Sequence, residues 1–197
     1  MSKEKRILEK KDLVDVKTYE QKRKQFRKNL VEYKKNRRIP LGPHATFYFE
    51  SFETMLGQVQ EMMHIEKGGD LQLRDELNAY NPLIPKGKEL VATLMFEIDN
   101  PNLRINFLSK VGGIEKKVYM KIDNEKIIAI PEMDVERTSD EGKASSVQFI
   151  HFKFTEEQIK KFKNIDKSVI LGIEHNLYSH ATEIPKNIKN ALIQDFI

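Results

Sequence analysis

The sequence predicts a single α+β domain over residues 1–197, with an antiparallel sheet of about six short strands and with N-terminal and interspersed helices. A length of 197 residues suits one domain. In the first half of the chain, apolar residues recur at helical spacing. In the second half, short alternating runs rich in β-branched and aromatic residues are separated by turn residues.

Charge divides the chain into a basic N-terminal helical arm, residues 1–38, and an α+β body, residues 44–197. The arm holds 15 Lys and Arg against 6 Asp and Glu, whereas the remainder holds 19 against 24. This asymmetry suits either a nucleic-acid contact or a solvated helix docked on its own acidic body. Because basic and acidic residues are interspersed, we favour docking and expect at most weak, sequence-independent nucleic-acid binding.

Two longer helices are predicted in the first half of the chain. In the first, Thr18 and Gln21 stand at capping-box spacing. Its narrow apolar stripe consists of Tyr19, Phe26, Leu30 and Tyr33. The second helix runs from Phe52 to Lys67, and Gly68 and Gly69 end it. Its apolar side consists of Phe52, Met55, Leu56, Val59, Met62 and Met63.

Later elements alternate between short helices and strands. Asp123–Asn124 indicates a tight hairpin between two strands, and Thr155 is the predicted cap of an amphipathic helix. Further helices are expected at Leu71–Tyr80, Leu103–Val111 and Lys186–Phe196. Strands are expected at His44–Glu50, Leu90–Ile98, Val118–Ile122, Lys126–Ile130, Val147–Phe154, Ser168–Glu174 and Ala181–Ile184.

Composition and motifs exclude several classes of function. The chain has no cysteine, which removes disulfides, zinc fingers, iron–sulfur ligation and thiol nucleophiles. It has no P-loop, no GxGxxG, no GxSxG, no HExxH and no EF-hand loop. No apolar run approaches the roughly 20 residues that span a bilayer. The N-terminus lacks the apolar region of an export signal. We therefore expect a cytoplasmic protein with no membrane contact.

Several blocks of the sequence resemble one bacterial family of unknown function, domain-of-unknown-function family 3501. They are QVQEM (58–62), DELNAYNPLIP (75–85) and GIEHNLY (172–178), within a resemblance that covers nearly the whole chain. One departure is His64, where the family more often has arginine. The resemblance implies an iron, peroxide or electron-transfer setting, with rubrerythrin-like or iron–sulfur oxidoreductase proteins as partners.

The densest polar blocks lie on three separate elements and supply the candidate site. The helix at 52–67 carries Glu61 and His64 at the spacing of di-iron carboxylate–imidazole pairs. The candidate ligand-binding residues are Gln58, Glu61, Glu76, Asn78, Tyr80, Asn81, His175 and Tyr178. Each block also has a structural interpretation: an exposed helix face, a turn secured by Asn and Tyr, and a histidine bonded within a turn. If the three elements line one cleft, the site binds a ligand.

These residues leave three hypotheses open. The first is a ligand-binding accessory protein in a cytoplasmic redox setting, with a metal among the candidate ligands. The second is a metal-dependent oxidoreductase or hydrolase in which Glu61 and His175 bind iron or another divalent ion. The third is a weak nucleic-acid or anion-binding module that uses the basic N-terminal helix.

Overall fold

The computed structural model describes residues 4, 6–132 and 142–197, which form two antiparallel sheets and six α-helices. The helices are α1 (Val16–Lys34), α2 (Phe52–Glu66), α3 (Gly69–Tyr80), α4 (Pro101–Leu108), α5 (Glu156–Lys163) and α6 (Lys186–Ile193). The strands are β1 (Arg38–Leu41), β2 (Ala45–Phe49), β3 (Glu89–Phe96), β4 (Val118–Ile122), β5 (Glu125–Ile128), β6 (Ile130–Pro131), β7 (Val147–Lys153), β8 (Val169–His175) and β9 (Tyr178–Glu183). The predicted α+β class is confirmed.

The strands form two sheets rather than the single predicted one. The first sheet has the order β1-β2-β3-β7-β6, and the second has the order β5-β4-β8-β9. Leu90, Ala92 and Leu94 on β3 are fully buried in a core shared with Met120 and Leu171 of the second sheet. The strands divide into two sheets because β3 pairs with β7, whereas β4 pairs with β8. In each pair the two strands are distant in sequence.

The opposite face of the first sheet carries helices α2 and α3. Val91 on β3 is buried there in a second core with Met55 and Val59 of α2 and Leu73 of α3. Successive residues of a strand face opposite sides of a sheet, so Leu90 and Val91 belong to different cores. The predicted inner side of the helix at 52–67 is therefore confirmed for Met55 and Val59, whereas Met62 is only half-buried and belongs to neither core.

The cap of the N-terminal helix lies three residues before the predicted cap, Thr18. The side chain of Asp15 accepts a hydrogen bond from the backbone N–H of Thr18 at 3.0 Å, so Asp15 is the cap. The capping-box prediction for Thr18 and Gln21 was wrong because an acidic N-cap stood one turn upstream. The helix leads through a 3₁₀ turn, Lys35–Arg37, into β1.

Other local predictions are confirmed. Asp123 and Asn124 form the two-residue turn between β4 and β5, with Asp123 at a φ of 53°. Thr155 caps α5 through a reciprocal capping box with Gln158. Pro40 lies within β1, which is an edge strand where a missing N–H is tolerated.

None of the helices in the described part of the chain is both long and apolar enough to span a membrane.

Helix α2 offers a matched test of the second core. Val59 is fully buried, whereas Ile65 on the same helix is 61% exposed. We expect Val59→Asp to lower the free energy of unfolding by on the order of 3 kcal/mol or more, because it places an unpaired charge in an apolar core. Ile65→Asp, the control, should change it by about 0.5 kcal/mol or less. Urea denaturation compares the two, and equal midpoints would contradict the assigned inner face.

Candidate functional site

The predicted site residues lie on both sides of the first sheet. Gln58 and Glu61 project from α2, which packs on the Val91 face of that sheet. His175 and Tyr178 belong to the β8–β9 hairpin of the second sheet, which packs on the other face. The first sheet separates the two groups, so the three elements do not line the single cleft that the sequence suggested.

Helix α1 covers the face of α2 that carries Glu61. The guanidinium of Arg23 forms an ion pair with Glu61, and its Nε lies 3.0 Å from Oε1. The hydroxyl of Tyr19 donates to Oε2 of the same carboxylate at 2.7 Å. Helix α1 thus covers the polar face of α2 and places Arg23 and Tyr19 on Glu61, which anchors α1.

His64 lies on the same face, one turn after Glu61. Its ring packs edge-on against Tyr19 with a centroid separation of 5.6 Å. Its Nδ1 is 3.8 Å from Glu20 Oε1, which is too long for a hydrogen bond, and it is buried without a partner. His64 therefore contributes to the packing between α1 and α2.

The anchor has a fixed charge state near neutral pH. Hydrogen bonds from Arg23 lower the pKa of Glu61 to about 2, against the opposing effect of burial. Burial, together with the hydrogen bond to Glu61, raises the pKa of Tyr19 to about 12. Glu61 therefore stays ionised and Tyr19 stays protonated, which disfavours either group as a proton-transfer residue at neutral pH.

An open groove, which we call the α1–α2 groove, runs beside this anchor and has a volume of about 600 Å³. Gln58 and Glu61 both line it. Its apolar lining consists of Tyr19, Phe26, Leu30, Tyr33, Leu56 and Gly57. At Gly57, a Cβ atom would lie 2.5 Å from Leu30 Cδ2, so the missing side chain lets the helices approach closely.

Two cations at this groove form no ion pair with an acidic side chain of the described residues, although Arg27 attracts Glu61 through space. Arg27 and Lys34 line it from α1. Neither makes an ion pair or hydrogen bond with a residue in the described ranges. Phe26, which stacks on Tyr19 at 5.7 Å, keeps 39% of its surface exposed. The groove therefore combines partly exposed apolar side chains with available positive charge.

The turn after α3 serves mainly to hold the N-terminal segment. The side-chain amide of Asn81 accepts from Leu8 N at 2.7 Å and donates to Leu8 O at 3.1 Å. Tyr80 accepts a long hydrogen bond of 3.3 Å from Gln58. Glu76 accepts from Gln72, and Asn78 is exposed. Gln58 and Tyr80 are thus brought together, whereas Asn81 has the structural role of securing a turn.

Tyr178 and His175 secure turns in the second sheet. The buried hydroxyl of Tyr178 donates to Leu41 O at 2.5 Å and accepts from the N–H groups of His44 and Ala45. It therefore fastens the β1–β2 turn to β9. His175 ends β8 rather than lying on a loop, and its Nδ1 accepts from Leu177 N at 3.2 Å.

His151 was not among the predicted site residues, and its imidazole bridges two carboxylates. Its Nδ1 lies 3.1 Å from Glu89 Oε2, and its Nε2 lies 2.8 Å from Glu132 Oε2. Desolvation opposes the charged imidazole, but its hydrogen bonds to the carboxylates of Glu89 and Glu132 outweigh that effect and raise the pKa of His151. Alternation along β7 places His151 beside Phe149 on the helix-covered face, yet neither glutamate is near it in sequence.

Across the residues that the structure describes, no three or more His, Asp or Glu side chains are arranged to hold a metal ion. Glu61 and His175, the predicted metal ligands, are engaged by Arg23 and by the hairpin backbone respectively.

The chain is a two-sheet α+β protein with an open groove beside its N-terminal helix. A family described as "Protein of unknown function (DUF3501)" matches residues 7–196, and the chain belongs to this family. The chain is similar to a solved structure described as a novel protein of unknown function from Burkholderia pseudomallei. The two share 32% identity and a TM-score of 0.90 over 96% of this chain and 99% of that chain. No curated protein matches the chain.

The Glu61 anchor predicts a specific pH dependence. We expect Glu61→Gln to cost about 1–2 kcal/mol at pH 7, because it removes a charge-assisted hydrogen bond from a partly exposed pair. A carboxylate whose pKa is lowered on folding stabilises the protein above its ordinary value of 4.5, and this contribution is lost as pH falls through about 2.

Chemical denaturation of both proteins from pH 7 to pH 2 measures this contribution. The stability difference should be constant above the ordinary pKa and shrink at lower pH. Glu32→Gln is the control, because Glu32 lies on α1 in an ion pair with Lys35 and its side chain is 71% exposed. A Glu61→Gln difference that does not change with pH would contradict the anchor.

Proposed function

We propose that this protein is a non-catalytic binding protein whose α1–α2 groove holds an amphipathic ligand with an apolar body and an acidic head group. The observation that carries the proposal is the coincidence, in one groove, of partly exposed apolar side chains with two cations, Arg27 and Lys34, that make no hydrogen bond or ion pair among the described residues. It retains Gln58 and Glu61 from the predicted site, because both line the groove.

The dimensions of the groove favour a small molecule. Ligand sites are typically clefts of roughly 300–1,000 Å³ lined mainly by apolar and aromatic side chains. The α1–α2 groove has about 600 Å³ and takes aromatic walls from Tyr19, Phe26 and Tyr33. Burial of an alkyl chain against these rings is favourable by about 25 cal/mol per Å² of apolar surface.

The charge of the groove favours an acidic head group. Its three carboxylates already have partners, since Glu61 binds Arg23, Glu53 accepts from Tyr33 and Asp12 accepts from the backbone N–H of Glu9. Arg27 and Lys34 therefore supply the available charge. A guanidinium also offers paired donors that match the geometry of a carboxylate or phosphate.

Binding is favoured over catalysis at this groove because the pKa values of Glu61 and Tyr19 lie far from neutral pH. Glu61, with a pKa of about 2, and Tyr19, with a pKa of about 12, bond to each other and to Arg23. General acids and bases work best with a pKa near the operating pH. A rigid pair of this kind orients the helices and leaves ligand contact to the neighbouring side chains.

The remaining expectations stay predictions. Rubrerythrin-like or iron–sulfur partners, a bound iron or other divalent ion, and a cytoplasmic location await direct tests. Weak nucleic-acid binding by α1 also stays a prediction. Its apolar stripe faces α2, so few aromatic side chains are left for stacking on bases.

A tryptophan reporter tests the groove directly, because the chain contains no tryptophan. We expect the emission of a Phe26→Trp variant to shift to the blue on titration with decanoate, since the alkyl chain displaces water from the indole. Leu103→Trp, on α4 and 60% exposed at that position, is the matched reporter and should not respond.

The head group is tested with the same reporter. Decanoate and decyl phosphate should bind at least about tenfold more tightly than decanol, and Arg27→Gln with Lys34→Gln should remove that preference. Lys24→Gln with Lys28→Gln makes the same charge change on exposed positions of α1 and should preserve it. Equal binding of decanoate and decanol, or equal loss in both pairs of variants, would overturn the proposal.

A further inference from the structure

A second cleft, remote from α1, is lined by five lysines. We call it the lysine cleft, and its members are Lys86, Lys88, Lys153, Lys160 and Lys163. It lies where β3 begins, β7 ends and α5 runs past them, and its volume is about 690 Å³. Lys160 and Lys163 are three residues apart on α5, a spacing that places both on one face of the helix.

Two of the five amino groups already have partners. Lys86 Nζ donates to the carbonyls of Arg6 at 2.6 Å and Asn81 at 2.9 Å, and burial lowers its pKa. Lys88 Nζ forms an ion pair with Glu156 at 2.9 Å. These two lysines shape the wall of the cleft.

The other three amino groups form no ion pair with a side-chain carboxylate among the described residues. Lys163 Nζ donates to the main-chain oxygen of Ile197, the last residue of the chain, at 3.5 Å. Lys153 and Lys160 make no hydrogen bond there and attract Glu89 and Glu156 only through space. Glu89 also accepts from Lys86 N and binds His151. The five lysines therefore exceed the two glutamates of the cleft, and positive charge is left in excess.

The excess of positive charge in the cleft contrasts with the net negative charge of residues 39–197. Residues 39–197 hold 19 basic and 24 acidic residues, yet the cleft holds five lysines and only two glutamates. Like charges that share a concave surface repel one another, and a polyanion placed among them relieves that repulsion. The arrangement thus favours a ligand with more than one negative charge.

The cleft also has an apolar wall. Phe154 and Ile159 line it at its base, and Ile197, 81% exposed, forms one side. A volume of about 690 Å³ falls within the range of small-molecule sites, roughly 300–1,000 Å³. A ligand that combines adjacent anionic groups with a flat apolar ring satisfies both parts of the lining.

We propose that the lysine cleft binds a small ligand with two adjacent phosphate groups and a ring, the chemistry of a nucleoside diphosphate. Lys153, Lys160 and Lys163 contact the phosphates as point charges, and the ring lies against Ile197 and Ile159. The site is independent of the α1–α2 groove, so either proposal stands or fails without the other.

Calorimetric titration of the whole chain with four probes tests this assignment at physiological salt. ADP should bind most tightly, pyrophosphate and AMP more weakly, and adenosine at least about tenfold more weakly than ADP, a difference of about 1.4 kcal/mol. The affinity for ADP should fall with added salt, as expected for exposed charge contacts. Equal affinities for ADP and adenosine would overturn the role of the lysines.

A charge-matched pair of triple variants locates the site. Lys153→Gln, Lys160→Gln and Lys163→Gln together should weaken ADP at least about tenfold. The control combines Lys116→Gln, Lys117→Gln and Lys121→Gln, all exposed residues outside the cleft, and should bind ADP as the parent does. Equal loss in both triples, or tighter binding of an oligonucleotide or an acidic peptide than of ADP, would contradict a nucleoside diphosphate site. Thermal melts confirm that both triples are folded.

Discussion

A buried ion pair between Arg37 and Asp195 holds the N-terminal helix to the rest of the molecule. The guanidinium donates to both carboxylate oxygens at 2.9 Å, and the two side chains are only 3% and 8% exposed. Arg37 also donates to the carbonyls of Glu50 and Ala191. It thus joins the end of α1, the start of α2 and the C-terminal segment. Loss of one partner would leave a buried charge uncompensated, at a cost of about 3–5 kcal/mol.

The groove follows from that attachment. Arg37 fixes one end of α1, and the Arg23–Glu61 pair fixes the helix nearer its start. Between these points, Leu30 packs against Gly57, so the helix lies close to α2 there. Phe26 and Tyr33 flank the contact and remain partly exposed. The α1–α2 groove therefore exists because an amphipathic helix is held at two points and its apolar stripe is incompletely covered between them.

Features set by neighbouring residues could be predicted from the sequence, and features set by distant pairs could not. The inner side of α2, the Asp123–Asn124 turn and the Thr155 cap depend on local spacing, and each was predicted. The partner of Glu61, Arg23, lies 38 residues away, so the sequence did not show that Glu61 anchors α1. The spacing of Glu61 to His64 indicated a metal site instead. Tyr178 likewise bonds to Leu41, 137 residues distant, and secures a turn instead of lining a site. Gln58 and Glu61 were predicted as site residues, but the groove itself needs α1 in place.

A crystal structure of the protein with decanoate tests the central claim most directly. We expect electron density for the alkyl chain between Phe26, Leu56 and Tyr33, with the carboxylate within hydrogen-bond distance of Arg27 or Lys34. It also predicts that the Glu61–Arg23 contact persists in the complex, since that contact positions the helix. Density for decanoate elsewhere on the molecule, with the α1–α2 groove filled only by water, would contradict it.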